Sequence, residues 1–176
     1  VDLRGGFLAQ AFMDGHAHPL FGGRESQGPL VNGLQTVAEM VAEVKRFADS
    51  NPNTPWIVGG AYEAAVVGGG DFLASWLDEV VSDRPVVLQA VDHHTIWVNS
   101  KALEIAGISA ATPDPDGGSI ARNPDGSARG TLREPSAMDL IMKHAAERTL
   151  EDDVAAIAWA SDCYLESGVS AATDAW

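Results

Sequence analysis

Asp14-Gly15-His16-Ala17-His18 is the segment of this chain with the clearest capacity for chemistry. Side chains two apart on a strand share a face, so a strand here sets His16 and His18 side by side. Neutral imidazole is a good ligand for zinc and its neighbours, and two imidazoles at a strand end can share one divalent ion. The same spacing also suits two half-buried histidines that only hydrogen-bond. Asp14 lies on their face and is a candidate for orienting them from behind. Further along, Asp92-His93-His94 follows an apolar run. His94 could point from that strand end toward a ligand or simply cap the turn, and Asp92 could orient a neighbour. Glu134 and Asp174 also end strand-like runs, where a carboxylate can ligate a metal; for Glu134 the plainer role is an acid favoured at a helix start. Trp97 suits core packing or a pocket wall. Arg133 could take a carboxylate or an ordinary surface ion pair, and His144 reads as solvated.

These residues need elements to position them. Phe7 to Ala17 is mostly apolar without a helical period and reads as a buried strand. Pro19 to Gly33, with four glycines and two prolines, reads as a loop. Leu34, Val37, Val41, Val44 and Phe47 form a helix face that stops at Ser50-Asn51-Pro52. Trp56 to Tyr62 reads as a second strand. Asp71 is a plausible cap for a helix through Val81, and the β-branched run Pro85 to Val91 is a third strand. Thr95 to Val98 continues it or opens a new element. Asn99 or Ser100 can cap a short helix closed by Gly107. Pro124-Asp125-Gly126 between two strand-like runs predicts a hairpin over about 118–133. Pro135 suits the first turn of a helix to about Arg148. Thr149 with Asp152 makes a capping-box pattern for a helix to Ser167, and Val169 to Asp174 is a last strand. The alternation predicts one α/β domain with mainly parallel strands.

The chain has 176 residues and a net charge of −14. Its length suffices for one sizeable core. Its acidity argues against nucleic-acid and anionic-membrane partners. The single cysteine, Cys163, excludes an internal disulfide and reads as a small core residue. No apolar run approaches the ~18 residues of a membrane span, and no basic-then-apolar leader opens the chain. The expectation is a cytoplasmic protein. The start, Val1-Asp2-Leu3, reads like the middle of a longer polypeptide.

Phe12-Met13-Asp14-Gly15-His16-Ala17-His18-Pro19 resembles the first-strand signature of the amidohydrolase superfamily, an apolar strand ending in Asp-x-His-x-His. Further blocks resemble the amidohydrolase-3, or YtcJ-like, family. They are Asp92 to Leu103 with Trp97-Val98-Asn99-Ser100, Ala106-Gly107-Ile108, Thr112-Pro113-Asp114-Pro115 through Gly118, Gly130 to Glu134, and Gly168 to Ala175. The resemblance covers nearly the whole chain. It implies a metal-dependent hydrolase of C–N bonds in amides, formamides or cyclic amides, in which the metal activates water and polarises the carbonyl. It implies a (β/α) TIM-type barrel with its ligands at strand C-termini. It also implies that His16, His18 and Glu134 hold a divalent metal, zinc by expectation, that His94 and Trp97 border a small amide-type substrate, and that Asp14 and Asp92 lie behind them. His93 stands where relatives often carry a small residue.

Two departures stand out. Gln10-Ala11 replaces the usual Pro-Gly, and the later-strand histidines and basic aspartate of the superfamily are absent. No lysine lies at a strand end to be carboxylated, since Lys45, Lys101 and Lys143 read as helical. A full barrel needs ~250 residues. The expectation is therefore the N-terminal portion of one barrel domain, inactive alone, that self-associates or pairs with a missing C-terminal half. The second reading is a non-catalytic half barrel serving binding or assembly.

Overall fold

The computed structural model describes residues 2–145 and 147–175, and among them seven segments form strands. The strands are β1 (Phe12–Ala17), β2 (Ile57–Tyr62), β3 (Val86–Ala90), β4 (Thr95–Val98), β5 (Ser119–Arg122), β6 (Ala128–Arg133) and β7 (Val169–Asp174). The helices are α1 (Pro19–Glu25), α2 (Val37–Ser50), α3 (Ala74–Asp78), α4 (Ser100–Ile105), α5 (Pro135–Met142) and α6 (Leu150–Glu166). The chain folds as two compact units, one of Val1–Arg24 with Thr149–Trp176, the other of Glu25–Arg148. None of the described helices is long and apolar enough to cross a membrane.

The second unit is built on a five-stranded sheet in the order β2-β3-β4-β6-β5. Only β2 and β3 run parallel there; β3–β4, β4–β6 and β5–β6 are antiparallel. The expectation of mainly parallel strands is thus corrected. The reason is loop length: β3 and β4 are joined by only Val91 to His94, and a parallel return needs a crossover of a dozen or more residues. Thr95 to Val98 is accordingly a new strand. The hairpin forms where it was predicted, but it is integral to the sheet, because β6 pairs with β4.

Several ends differ from the sequence reading. α2 starts at Val37, since Thr36 accepts from the Glu39 amide and Glu39 bonds back in a capping box. Asp71 does not cap α3, whose N-cap is Leu73; it pairs instead with Arg133 at 2.7 Å and Arg129 at 3.8 Å. α5 ends at Met142, and Ala146, within the predicted helix, lies outside the described residues. Pro19 to Glu25 is helical, not loop.

One face of the sheet buries an aromatic cluster. Tyr62, Phe72 and Trp97 are fully buried, with Phe72 centroids 4.7 Å from Tyr62 and 4.8 Å from Trp97. Met40, Val44 and Ala48 on α2 pack into the same core. The Tyr62 hydroxyl is buried without a hydrogen-bond partner, and burial pushes its pKa far up. A buried orphan hydroxyl costs free energy that its removal restores. Tyr62→Phe is expected to raise stability by about 1 kcal/mol, read as a shift of the urea midpoint at constant slope. A loss of more than that amount would show that the hydroxyl is satisfied in solution.

In the first unit β1 pairs parallel with β7, and α6 begins with the Thr149/Asp152 capping box. Arg24 on α1 makes a two-pronged bond to Asp153 on α6, at 2.9 and 2.7 Å. A Cβ at Gly23 would collide with the Ala156 carbonyl, so the glycine is needed for that approach of α1 to α6. β1 was expected to be buried from Phe7. It starts at Phe12, has one neighbour strand, and leaves Phe12 72% and Met13 75% exposed. Cys163 on α6 is half-buried rather than a core residue.

Candidate functional site

The sequence-predicted residues fall into two groups, one in each unit. In the first unit the parallel register sets Ala17 against Asp174, and the Ala175 amide donates to the Ala17 carbonyl at 2.9 Å. Parallel pairing brings both C-terminal strand ends to one edge. The rings of His16 and His18 meet there edge-to-face, centroids 5.3 Å apart. His18 Nδ1 stands 3.9 Å from Asp174 Oδ1. Asp14 Oδ1 accepts from the His16 backbone amide at 3.1 Å, so it braces the strand at His16 and not the imidazole. Partial burial, with the negative charges of Asp14 and Asp174, holds the Tyr164 phenol above its ordinary pKa.

Two exposed imidazoles on one face, with a carboxylate beside one of them, are a donor set that suits zinc. The set is incomplete as it stands. Among the described residues no group of three or more histidine, cysteine, aspartate and glutamate side chains is arranged to hold a metal ion.

The second group sits where β3 gives way to β4. The Asp92 carboxylate accepts from the His94 amide at 2.9 Å and tightens the turn. The Glu134 amide donates to the His94 carbonyl at 2.7 Å. His94 Nδ1 and Glu134 Oε2 then meet at 3.1 Å. With side chains 64% and 51% exposed, this pair is open to a ligand. The ring offers a hydrogen-bonding nitrogen beside a carboxylate, so a donor and an acceptor stand at one place. Glu134, predicted as a metal ligand with His16 and His18, belongs to the second unit while they belong to the first.

Trp97 is corrected from a substrate-bordering residue to a core residue. It is fully buried and donates its indole N–H to the Leu73 carbonyl at 2.9 Å. The reason lies in the pleat: Trp97 faces the layer filled by Tyr62, Phe72 and Trp76. Asn99 is the cap of α4, as predicted, accepting from the Ala102 amide. Arg133 is taken up by Asp71 and the Gly69 and Gly70 carbonyls, so the surface ion pair describes it. His144 is exposed just past α5.

Sequence reasoning missed Glu25. It ends α1, its carboxylate lies 3.8 Å from His93 Nε2, and burial raises its pKa against the opposing pull of His93. No local pattern signals it, since its partner lies far along the chain.

The profile of the amidohydrolase family, amidohydrolase-3 type, matches residues 1–176. The putative amidohydrolase YtcJ of Bacillus subtilis is 36% identical over 145 residues, which are 81% of this chain and 27% of that protein. The N-substituted formamide deformylase of Arthrobacter pascens is 29% identical over 181 residues, 99% of this chain and 33% of that protein. The crystal structure of an uncharacterized metal-dependent hydrolase from Pyrococcus horikoshii OT3 superposes with a TM-score of 0.60 at 24% identity, over 94% of this chain and 30% of that one. The chain spans a third or less of the length of each of these proteins. With a full-length profile match and the His-x-His strand in place, the chain belongs to the amidohydrolase family, in its amidohydrolase-3 (YtcJ-like) branch.

Proposed function

We propose that this protein is a metal-dependent hydrolase of C–N bonds in amides, formamides or cyclic amides, and that this chain is the N-terminal portion of its (β/α) barrel. The observation that carries the reading is the His16–His18 pair at the C-terminal end of β1, its rings 5.3 Å apart. The name of the Arthrobacter relative supports a formamide-like substrate. A divalent ion, zinc by donor chemistry, supplies Lewis acidity toward a carbonyl and a water. His16 and His18 hold it, Asp14 stiffens the strand beneath them, and Asp174 stands beside His18. In the second unit Glu134 and His94 offer an exposed pair to a polar ligand group, and their hydrogen bond sets which ring nitrogen carries the proton. Phe12, Met13 and Leu150, apolar and exposed in the first unit, support a partner segment, either the remaining barrel strands or a second copy. A cytoplasmic location and a small-molecule partner, with no nucleic acid or membrane, complete the proposal.

The test is hydrolysis of an N-alkylformamide, a cyclic imide and a carboxylic ester, with zinc added. The longest chain the gene encodes is compared with the 176-residue chain alone. The expected result is C–N cleavage by the longer protein and none by this chain. Cleavage of the ester only, or of nothing by the zinc-loaded longer protein, sinks the reading. A folded protein with no activity and no bound zinc would favour the non-catalytic half-barrel module.

A further inference from the structure

His93 and Glu134 carry side chains on left-handed backbone, with φ of 58° and 68°. That conformation is costly for a residue with a Cβ and persists where the surroundings over-determine it. Around His93 several determinants are visible. Its amide donates to the Ala90 carbonyl at 3.0 Å, and Gln89 Nε2 approaches its carbonyl at 3.5 Å. Its imidazole faces Glu25, Nε2 to Oε1 3.8 Å. Glu25 is held in place in turn. Gly60 leaves it room, since a Cβ there would lie 3.1 Å from Oε1. That oxygen is buried and accepts no hydrogen bond, and the His93 ring is the polar group that faces it. The residue after His93 is the one that meets Glu134.

We propose that Glu25 is a positioning residue: it holds His93 in the left-handed form that shapes the turn of residues 92–94 and presents His94 to Glu134. The inference rests on the reading of the His94–Glu134 pair as part of the site. Glu25 fixes the imidazole of His93, and the fixed imidazole fixes the backbone on which His94 hangs. Asp92 and the Glu134 amide hold the other side of the same turn.

The test is histidine-selective ¹⁵N NMR on the metal-free chain, which has five histidines. A neutral ring held by one acceptor keeps one tautomer, and its two nitrogens resonate far apart. Glu134→Gln identifies the His94 signature by collapsing that separation. Glu25→Gln is expected to shift His94 toward the Glu134→Gln value, and Glu25→Asp to restore part of the separation. His93→Gly adopts the left-handed backbone unaided, so it should keep the His94 signature, and adding Glu25→Gln to it should change nothing. An unmoved His94 signature in folded Glu25→Gln overturns the proposal. So does an equal shift in the His93→Gly background. If Glu134→Gln itself leaves His94 unchanged, the pair is not formed and the proposal falls with it. The absence of hydrolysis moves none of these signals. Should Glu25→Gln fail to fold, the comparison of Glu25→Asp with and without His93→Gly decides in its place: a His94 shift confined to the His93 background supports the proposal, and any other pattern overturns it.

Discussion

Asn99→Ala is expected to lower stability by about 3–5 kcal/mol, the largest effect of any single substitution outside the hydrophobic core. Asn99 is fully buried and uses its whole amide. Oδ1 accepts from the Val86 amide at 2.9 Å and the Ala102 amide at 3.0 Å. Nδ2 donates to the Val81 carbonyl at 2.9 Å and the Arg84 carbonyl at 2.8 Å. One side chain thus ties the start of β3, the cap of α4 and the turn after α3. Alanine orphans four backbone groups at ~1–3 kcal/mol each, less what an entering water recovers. Asn99→Asp is expected to be at least as damaging at neutral pH. A carboxylate cannot donate to the two carbonyls, and both burial and those carbonyls oppose its charge, so its folded pKa would be raised. Its loss of stability should therefore ease as pH falls and the acid regains a donor. Urea unfolding at pH 7 and pH 5 checks both. A loss below ~1 kcal/mol for alanine would show that the four bonds are dispensable.

Replacing His16 and His18 together by alanine is expected to abolish zinc uptake by the longest chain the gene encodes, measured by elemental analysis after dialysis. Loss of a partner behind a ligand already costs ~10–100-fold in affinity, and loss of the ligands themselves costs more. Both histidines are exposed, so the double variant should keep its stability within ~0.5 kcal/mol. Metal loss and unfolding are thereby separable. Asp174→Asn should weaken binding far less, since Asp174 meets His18 only at 3.9 Å. Unchanged zinc content in the double variant would remove the metal reading of this strand.

Local signals carried the sequence reading well. The Thr149/Asp152 box, Pro135 at the start of α5, Asn99 as a cap and the Pro-Asp-Gly hairpin each depend on residues within a few positions of one another. The misreadings share a different cause. Gly22 and Gly23 looked like loop residues, yet α1 is helical there and Gly23 serves the approach of Ala156. Asp71 looked like a cap, but two arginines on the far hairpin strand β6 claim it. Trp97 sits in a family block, and only the pleat of β4 decides which face receives it. Of the candidate site, the His-x-His spacing was legible because a strand has a period of two. The His94–Glu134 pair joins two sheet strands and its geometry was not legible from spacing. Glu25 was invisible for the same reason, on a longer scale.

The first unit is made from the two ends of the chain, with Ala17 pairing with Asp174, whereas the second unit is one continuous stretch. During synthesis at ~5–20 residues per second, β1 leaves the ribosome roughly 8–30 s before its partner strand does. In that interval the intervening segment can complete its own contacts, while β1, with His16 on it and His18 just past its end, still lacks β7. Its closure across so long a span is the slow, late event. A nascent chain stalled before α6 should therefore display β1 to chaperones, and the histidine pair should gain its geometry only when β7 emerges.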